Sequence, residues 1–404
     1  MSKRLINLII KNSIINLMKE YRITDFGIVP NINKFQTEAF QNIFNMCKGE
    51  GGKIIIPKGK YLVAALRMWS NTTLYLEEGA EIYGSDNCDD YQVFPIPKGM
   101  EMRSDMELIT QYYGKPWDTY RRAIITAYNE KNISIIGEKG SVFDGQNCYD
   151  PNGEEGYRGP HIIFLSCCEN VLLQGYTARH SGNFLHEANN CKNLLMRNVT
   201  CLGGSDGIHL HCSKDTIIEN CTFRTGDDCI AGINVENLLV NNCTLNTSCN
   251  LFRIGGVNIV IKSTHSKGPG YYPHRMTVVK GKNDELPREQ GRHNTLALID
   301  YFASTNYPFK QSDIHFEDCS FDNFERVLYY PADSDSLHSG THLGLLTFKN
   351  VTFNKLKYPA YIIESKEEPL TVILENVKVS FDESSSFTQL FELGKYSNTT
   401  IIEK

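Results

Sequence analysis

The stretch KNLLMRNVTC at residues 192–201 returns as DTIIENCTF at 215–223 and as ENLLVNNCTL at 236–245. Related forms flank it, ENVLLQGYTA at 169–178 and VNIVIKSTHS at 257–266. Their second residues are Asn170, Asn193, Thr216, Asn237 and Asn258, giving gaps of 23, 23, 21 and 21. Inside each unit Leu, Ile and Val alternate with the period of two that marks a strand. Such a unit cannot bury its apolar side alone, but stacked turns build a continuous core. Strands of successive coils then pair in parallel at about 4.8 Å, and like side chains form ladders. Cys221 and Cys243 are expected to stack in this way, as are Leu195, Ile217 or Ile218, and Leu239. The units lack the LxxLxLxxN spacing of a leucine-rich repeat and the hairpin dipeptides of a β-sandwich. The expected fold is all-β, a single-stranded right-handed parallel β-helix.

Fragments of the unit recur outward, from NTTLYLEEGAEIYG at 71 and KNISIIGEKGSVFDG at 131 to SDIHFEDCSFDNF at 312, GLLTFKNVTFNKL at 344 and LTVILENVKVSF at 370. One β-helix domain is therefore expected over residues 22–404. Before it, MSKRLINLIIKNSIINLMKEY reads as an amphipathic helical cap over residues 1–21, since Asn7, Lys11 and Asn12 interrupt its apolar run. A signal peptide is not expected there. Nothing approaches the roughly 18 to 20 apolar residues of a membrane span. With 47 acids against 41 bases, the net charge of −6 argues against nucleic acid or an anionic membrane as partner. The 13 cysteines form no CxxC pair and no metal-type cluster. They read as reduced, buried core residues, hence a cytoplasmic protein.

Two further stretches carry the chemistry, GGSDGIHLHC at 203–212 and TGDDCIAGIN at 225–234. Asp206 lies 21 and 22 residues before Asp227 and Asp228, one coil away, so all three carboxyls are expected on one patch. Three acids so close cannot all ionise cheaply, and at least one pKa must rise. A protonated acid beside ionised ones is what hydrolysis of an acetal requires. The competing reading is that Asp206 and Asp227 only cap turns through Asx hydrogen bonds.

These residues resemble the family 28 glycoside hydrolases, the polygalacturonase-like β-helices. YRITDFGIVPN, with the later GGKIIIPKGKYL, is similar to their entry segment, and GSVFDGQN to their Gly-x-x-Asp-Gly-x-Gly turn. GSDGIHLHCSKDTIIENCTFRTGDDCIAG is similar to their catalytic centre, with Gly204-Ser205-Asp206 at their Asn-Thr-Asp. The resemblance implies that Asp227 protonates the leaving oxygen while Asp206 and Asp228 activate water. That is an inverting hydrolysis, for which a carboxyl gap of about 6.5 to 9.5 Å is expected.

Two family motifs are absent. Where Gly-His-Gly belongs, the chain reads SCNLFRIGG, which puts Asn250 near the histidine position. The Arg-Ile-Lys motif is also missing, with Arg275 near its arginine and Thr277 in place of its lysine. Arg253 and His209 are candidate replacements beside the aspartates, as is His211. The insertion at 268–294 interrupts the repeat next to the expected cleft. Its Tyr271 and Tyr272 suit stacking on sugar faces, and Arg275, Arg292 and His293 suit an acidic or hydroxyl-rich substrate. The expected function is glycoside hydrolysis of an α-linked oligo- or polysaccharide, polygalacturonase-like with altered specificity. No cofactor or metal is expected. The alternatives are a non-catalytic carbohydrate-binding β-helix, as in adhesins and tailspikes, and a β-helix lyase or epimerase.

Overall fold

In successive coils from Asn71 to Asn258 an asparagine or aspartate takes a corner that a β-branched residue cannot. Asn71, Asn132, Asn170, Asn193, Asp215, Asn237 and Asn258 all hold φ between 54° and 59°, the left-handed region that Asn and Asp tolerate best. Their side chains form a ladder along the helix axis. Asn170 donates to Asn132 at 3.1 Å, Asn193 to Asn170 at 3.1 Å, Asn237 to Asp215 at 2.9 Å and Asn258 to Asn237 at 2.9 Å. The third repeat therefore sits one residue off the expected register. Asp215 is the ladder member, while Thr216 pairs with Leu194 and points inward. The true gaps are 23, 22, 22 and 21.

The computed structural model describes residues 18–100, 118–275, 291–303, 309–331, 340–363, 369–392 and 398–404. Within them the chain is a right-handed parallel β-helix. Parallel pairing collects the strands into one sheet of 21 and another of 11. The larger sheet turns a corner within single strands. Ile230–Asn241 and Asn250–Lys262 pair along both faces, with the register breaking between Gly232 and Val235. At that corner a Cβ on Gly256 would meet the Val235 carbonyl oxygen at 2.0 Å, so only glycine fits.

Inside, Leu173, Met196, Ile218, Val240 and Ile261 stack in register, each at most 1% exposed. Ile218 is thus the core residue. Ile217 joins Leu195 and Leu239 on the half-buried outer side. From the other sheet Cys201, Phe223 and Leu245 stack against them. Cys221 and Cys243 are both buried, and none of the 13 cysteines is in a disulfide.

The helical cap expected over 1–21 lies almost wholly outside the described residues. From Glu20 the chain is already strand, pairing Glu20–Arg22 with the strand Gly52–Ile56. Among the described residues an amphipathic helix occurs at Thr37–Met46, burying Phe40, Ile43 and Phe44 in the core, with Phe40 edge-on to Tyr61.

Replacing Asn193 tests the corner ladder. Asn193→Ala loses a hydrogen bond and strains the left-handed residue, for a cost of about 2 kcal/mol. Asn193→Gly keeps the backbone comfortable and loses about half as much. Urea unfolding of both variants checks that order; equal losses would mean the conformation contributes nothing.

Candidate active site

Two successive turns lead from the smaller sheet into the larger one and carry the acids, Asp206 on the first and Asp227 and Asp228 on the second. Ile208 pairs with Ile230, so Asp206 stands opposite Asp228 on the neighbouring rung. The Gly207 amide donates to the Asp228 carbonyl at 2.9 Å. Thr225 and Thr247, themselves paired, both donate their hydroxyls to the Asp227 carbonyl, which fixes the turn between the two rungs. The insertion rides directly over it. A Cβ on Gly226 would lie 2.1 Å from the Pro273 carbonyl oxygen, so the residue before the acid pair must be glycine.

Asp206, Asp227 and Asp228 are buried and bring one oxygen each to within 4.8 Å of one another. This is closer than the expected gap of about 6.5 to 9.5 Å. The cause is the fold, since acids in register on adjacent rungs inherit the strand spacing of about 4.8 Å. The spacing accordingly does not separate inversion from retention.

The charges are divided unequally. Arg158 puts its Nη2 3.0 Å from Asp227 and its Nη1 3.8 Å from Asp206, and its Nε is held by Glu155 at 2.7 Å. His274, from the start of the insertion, places Nε2 3.4 Å from Asp227. Burial opposes the charge of Asp227, but His274, Arg158 and Arg253 outweigh it and hold the carboxyl well below its usual range. Asp206 is pushed well above that range, first by burial and then by Asp227. Asp228 is raised to about 7 by burial, Asp227 and Asp206, although the Asn250 backbone and side-chain amides donate to it at 3.0 and 2.9 Å. One acid is therefore held as an anion while its two neighbours retain protons toward neutral pH.

The outward face of the larger sheet continues the site. Glu187, His209, Ala231, Arg253 and Asp300 follow one another in register. His209 lies flat on Phe184, 3.6 Å between centroids, and its Nε2 is hydrogen-bonded to Asp206. Its Nδ1 is 2.8 Å from Nε2 of His211, which in turn is 3.9 Å from Glu187. Ring nitrogens committed to one another and to a carboxyl make a hydrogen-bond chain rather than a metal ligand set. Beside the aspartates, Arg158 already supplies the positive charge that a cation would bring. Arg253 lies 3.6 Å from Asp300 and over the Phe302 ring at 4.5 Å, and acids around it push its pKa up against the effect of burial.

Six residues singled out in the sequence thus meet at one place: Asp206, Asp227, Asp228, His209, Asn250 and Arg253. The insertion residues behave differently. Arg275 is buried and acts as a latch, donating to the Gly182 carbonyl at 3.0 Å and to Asn147 at 2.9 Å, rather than presenting a fork to a ligand. His293 is bound through Nδ1 to the Gly270 carbonyl at 2.9 Å, and Arg292 donates to the Asn294 carbonyl at 3.4 Å. Tyr272 is half-buried and edge-on to Tyr271, which is 52% exposed. Thr277 and the rest of 276–290 lie outside the described residues. Sequence reasoning missed Arg158, His274, Glu187 and Asp300. Arg158 falls outside the repeat and had no periodic signal. His274 stood beside Arg275 in a stretch already marked.

The family model for glycosyl hydrolases family 28 matches residues 95–251, which contain all three aspartates. A probable polygalacturonase from Vitis vinifera is 26% identical over 226 residues, covering 52% of this chain and 43% of that protein. The chain therefore spans less than half the length of this relative. The fold is shared with two solved family 28 structures. The Yersinia enterocolitica exopolygalacturonase has a TM-score of 0.68 at 18% identity, covering 96% of this chain and 78% of the other. The hyperthermoactive exopolygalacturonase from Thermotoga maritima has a TM-score of 0.69 at 16% identity, covering 95% and 91%. Fold and comparisons together define a right-handed parallel β-helix similar to the polygalacturonases. The chain is polygalacturonase-like in sequence, and its match to glycosyl hydrolases family 28 is carried by residues 95–251.

The raised Asp228 carboxyl has a consequence for stability. Its folded pKa of about 7 exceeds its ordinary 3.8, so its contribution is complete below about pH 4 and is lost as pH rises through about 7. Asp228→Asn removes the burdened charge. The variant should match the parent near pH 4 and exceed it at pH 8 by on the order of 2 to 4 kcal/mol. Thermal unfolding at the two pH values reads the difference, and a variant less stable at both would make Asp228 a structural residue.

Proposed function

We propose that the protein hydrolyses α-glycosidic bonds of an oligo- or polysaccharide with Asp206, Asp227 and Asp228 as its catalytic residues. The observation carrying this reading is the convergence of three buried carboxyls on adjacent rungs, one of them met by Arg158 and His274. Turn-capping alone does not require Arg158 and His274 to converge on one of them. In the proposed reaction a proton reaches Asp227, the anion of the resting site, through His274 at 3.4 Å and passes on to the leaving oxygen. Asp206 and Asp228, which hold protons at rest, act once ionised, and one of them takes the proton of the attacking water. Direct attack inverts the anomeric centre.

The proposed substrate carries a neutral sugar at the cleaved position. Asn250 is spent on Asp228, Arg275 on the Gly182 carbonyl and Asn147, and Arg253 faces Asp300. No arginine of this set presents an unopposed fork to a uronate carboxylate. Thirteen cysteines outside any disulfide, most of them buried, support placing the protein in the cytoplasm.

Reducing-end release and mass spectrometry over a panel of neutral and acidic oligosaccharides test the reaction and its substrate. Neutral glycans should be cleaved and polygalacturonate poorly; efficient cleavage of polygalacturonate overturns the specificity. On any cleaved substrate, Asp227→Asn should lower kcat by a factor of about 10² or more with the fold intact. Near-parent turnover would remove Asp227 from the mechanism.

Two further outcomes are expected on the same substrate. Proton NMR should find the first-formed anomer inverted, and a retained anomer would make one aspartate a nucleophile. Because Asp228 must be ionised to activate water, kcat should fall as pH drops through about 7. A rate that instead falls as pH rises through 7 would make Asp228 the proton donor.

A further inference from the structure

We propose that His209, His211 and Glu187 form a buried proton-holding chain that lets Asp206 exchange its proton internally and stand as a carboxylate beside Asp227 and Asp228. The inference rests on the hydrolytic reading for its purpose but not for its test. Its basis is geometric. Asp206 Oδ2 meets His209 Nε2, His209 Nδ1 lies 2.8 Å from His211 Nε2, and that nitrogen lies 3.9 Å from Glu187 Oε1. His211 and Glu187 are fully buried, and the His209 ring is clamped on Phe184. Two histidines linked nitrogen to nitrogen share a single proton at that link, and so do His209 and the carboxyl.

The chain consequently has two forms. In the first, the Asp206 hydroxyl donates to His209 Nε2, and His209 Nδ1–H donates to His211 Nε2. In the second, two protons have each moved one step. The O–H bond at Asp206 and the N–H bond at His209 Nδ1 break, while N–H bonds form at His209 Nε2 and His211 Nε2. Asp206 is left a carboxylate and His211 becomes an imidazolium beside Glu187. No proton is gained or lost, and no other reactant is needed.

The charged groups around the Asp206 end are Arg158, Asp227, Asp228, Arg253 and Glu155; at the other end Glu187 faces His211. Glu187 supplies the anion that an imidazolium at His211 needs in a dry interior, where unpaired charge is costly. His211 and Glu187 are thus positioning residues that act on Asp206 through His209.

Nitrogen-15 spectra of histidine-labelled protein give the test, since imidazole shifts report which ring nitrogens carry protons. At pH 6 a fraction of the parent should show an imidazolium at His211, the form in which Asp206 has given up its proton. Glu187→Gln should remove it at that pH, and Asp206→Asn should change the tautomer of His209. Unchanged ring protonation in both variants would overturn the chain. The readout needs no turnover, so failure to find a cleaved glycoside leaves it decisive. Where a glycoside is cleaved, Glu187→Gln should move the acidic limb of the kcat profile to higher pH by about one unit. A uniform loss of rate without that shift would leave Glu187 a packing residue.

Discussion

Parallel rungs about 4.8 Å apart govern nearly everything in this protein. Any residue repeated at one-coil spacing is forced against its own copy. For leucine and isoleucine the result is a continuous core, and for asparagine an amide ladder. For aspartate the same geometry is costly, and the chain bears it at one patch, Asp206 with Asp227 and Asp228. The acids are close because the coil makes them close, which is why their separation reports the fold rather than the stereochemistry of a reaction.

What surrounds the acids decides how that cost is distributed. Arg158 and His274 come from segments outside the repeat and both converge on Asp227. The other two acids receive less compensation. Asp206 has a histidine and the far end of the Arg158 guanidinium, and Asp228 has the amides of Asn250. Burial then keeps protons on them, and the site holds acid and base forms of one residue type side by side.

The insertion contributes through its base. His274 reaches an acid, Arg275 ties the loop to Gly182 and Asn147, and Pro273 lies on Gly226. Where the repeat offers an asparagine, Asn250, in place of the expected histidine, a histidine arrives from a neighbouring loop to meet the acid pair from another direction.

The amino-acid sequence by itself determined the β-helix, because a period of two repeated about every 22 residues has few other ways to bury its apolar face. It also determined that the three aspartates meet, since spacings of 21 and 22 equal one coil. Its one slip in register, Thr216 for Asp215, came from matching residue type where backbone conformation sets the ladder: a left-handed corner accepts aspartate and refuses threonine. Only the tertiary structure decided which acid is ionised, because Arg158, 48 residues before Asp206, and His274, 46 residues after Asp228, carry no periodic signal. It likewise decided that Arg275 is a latch rather than a ligand arm. Stacking distance is written into a repeat, but charge compensation depends on which loops fold back over it.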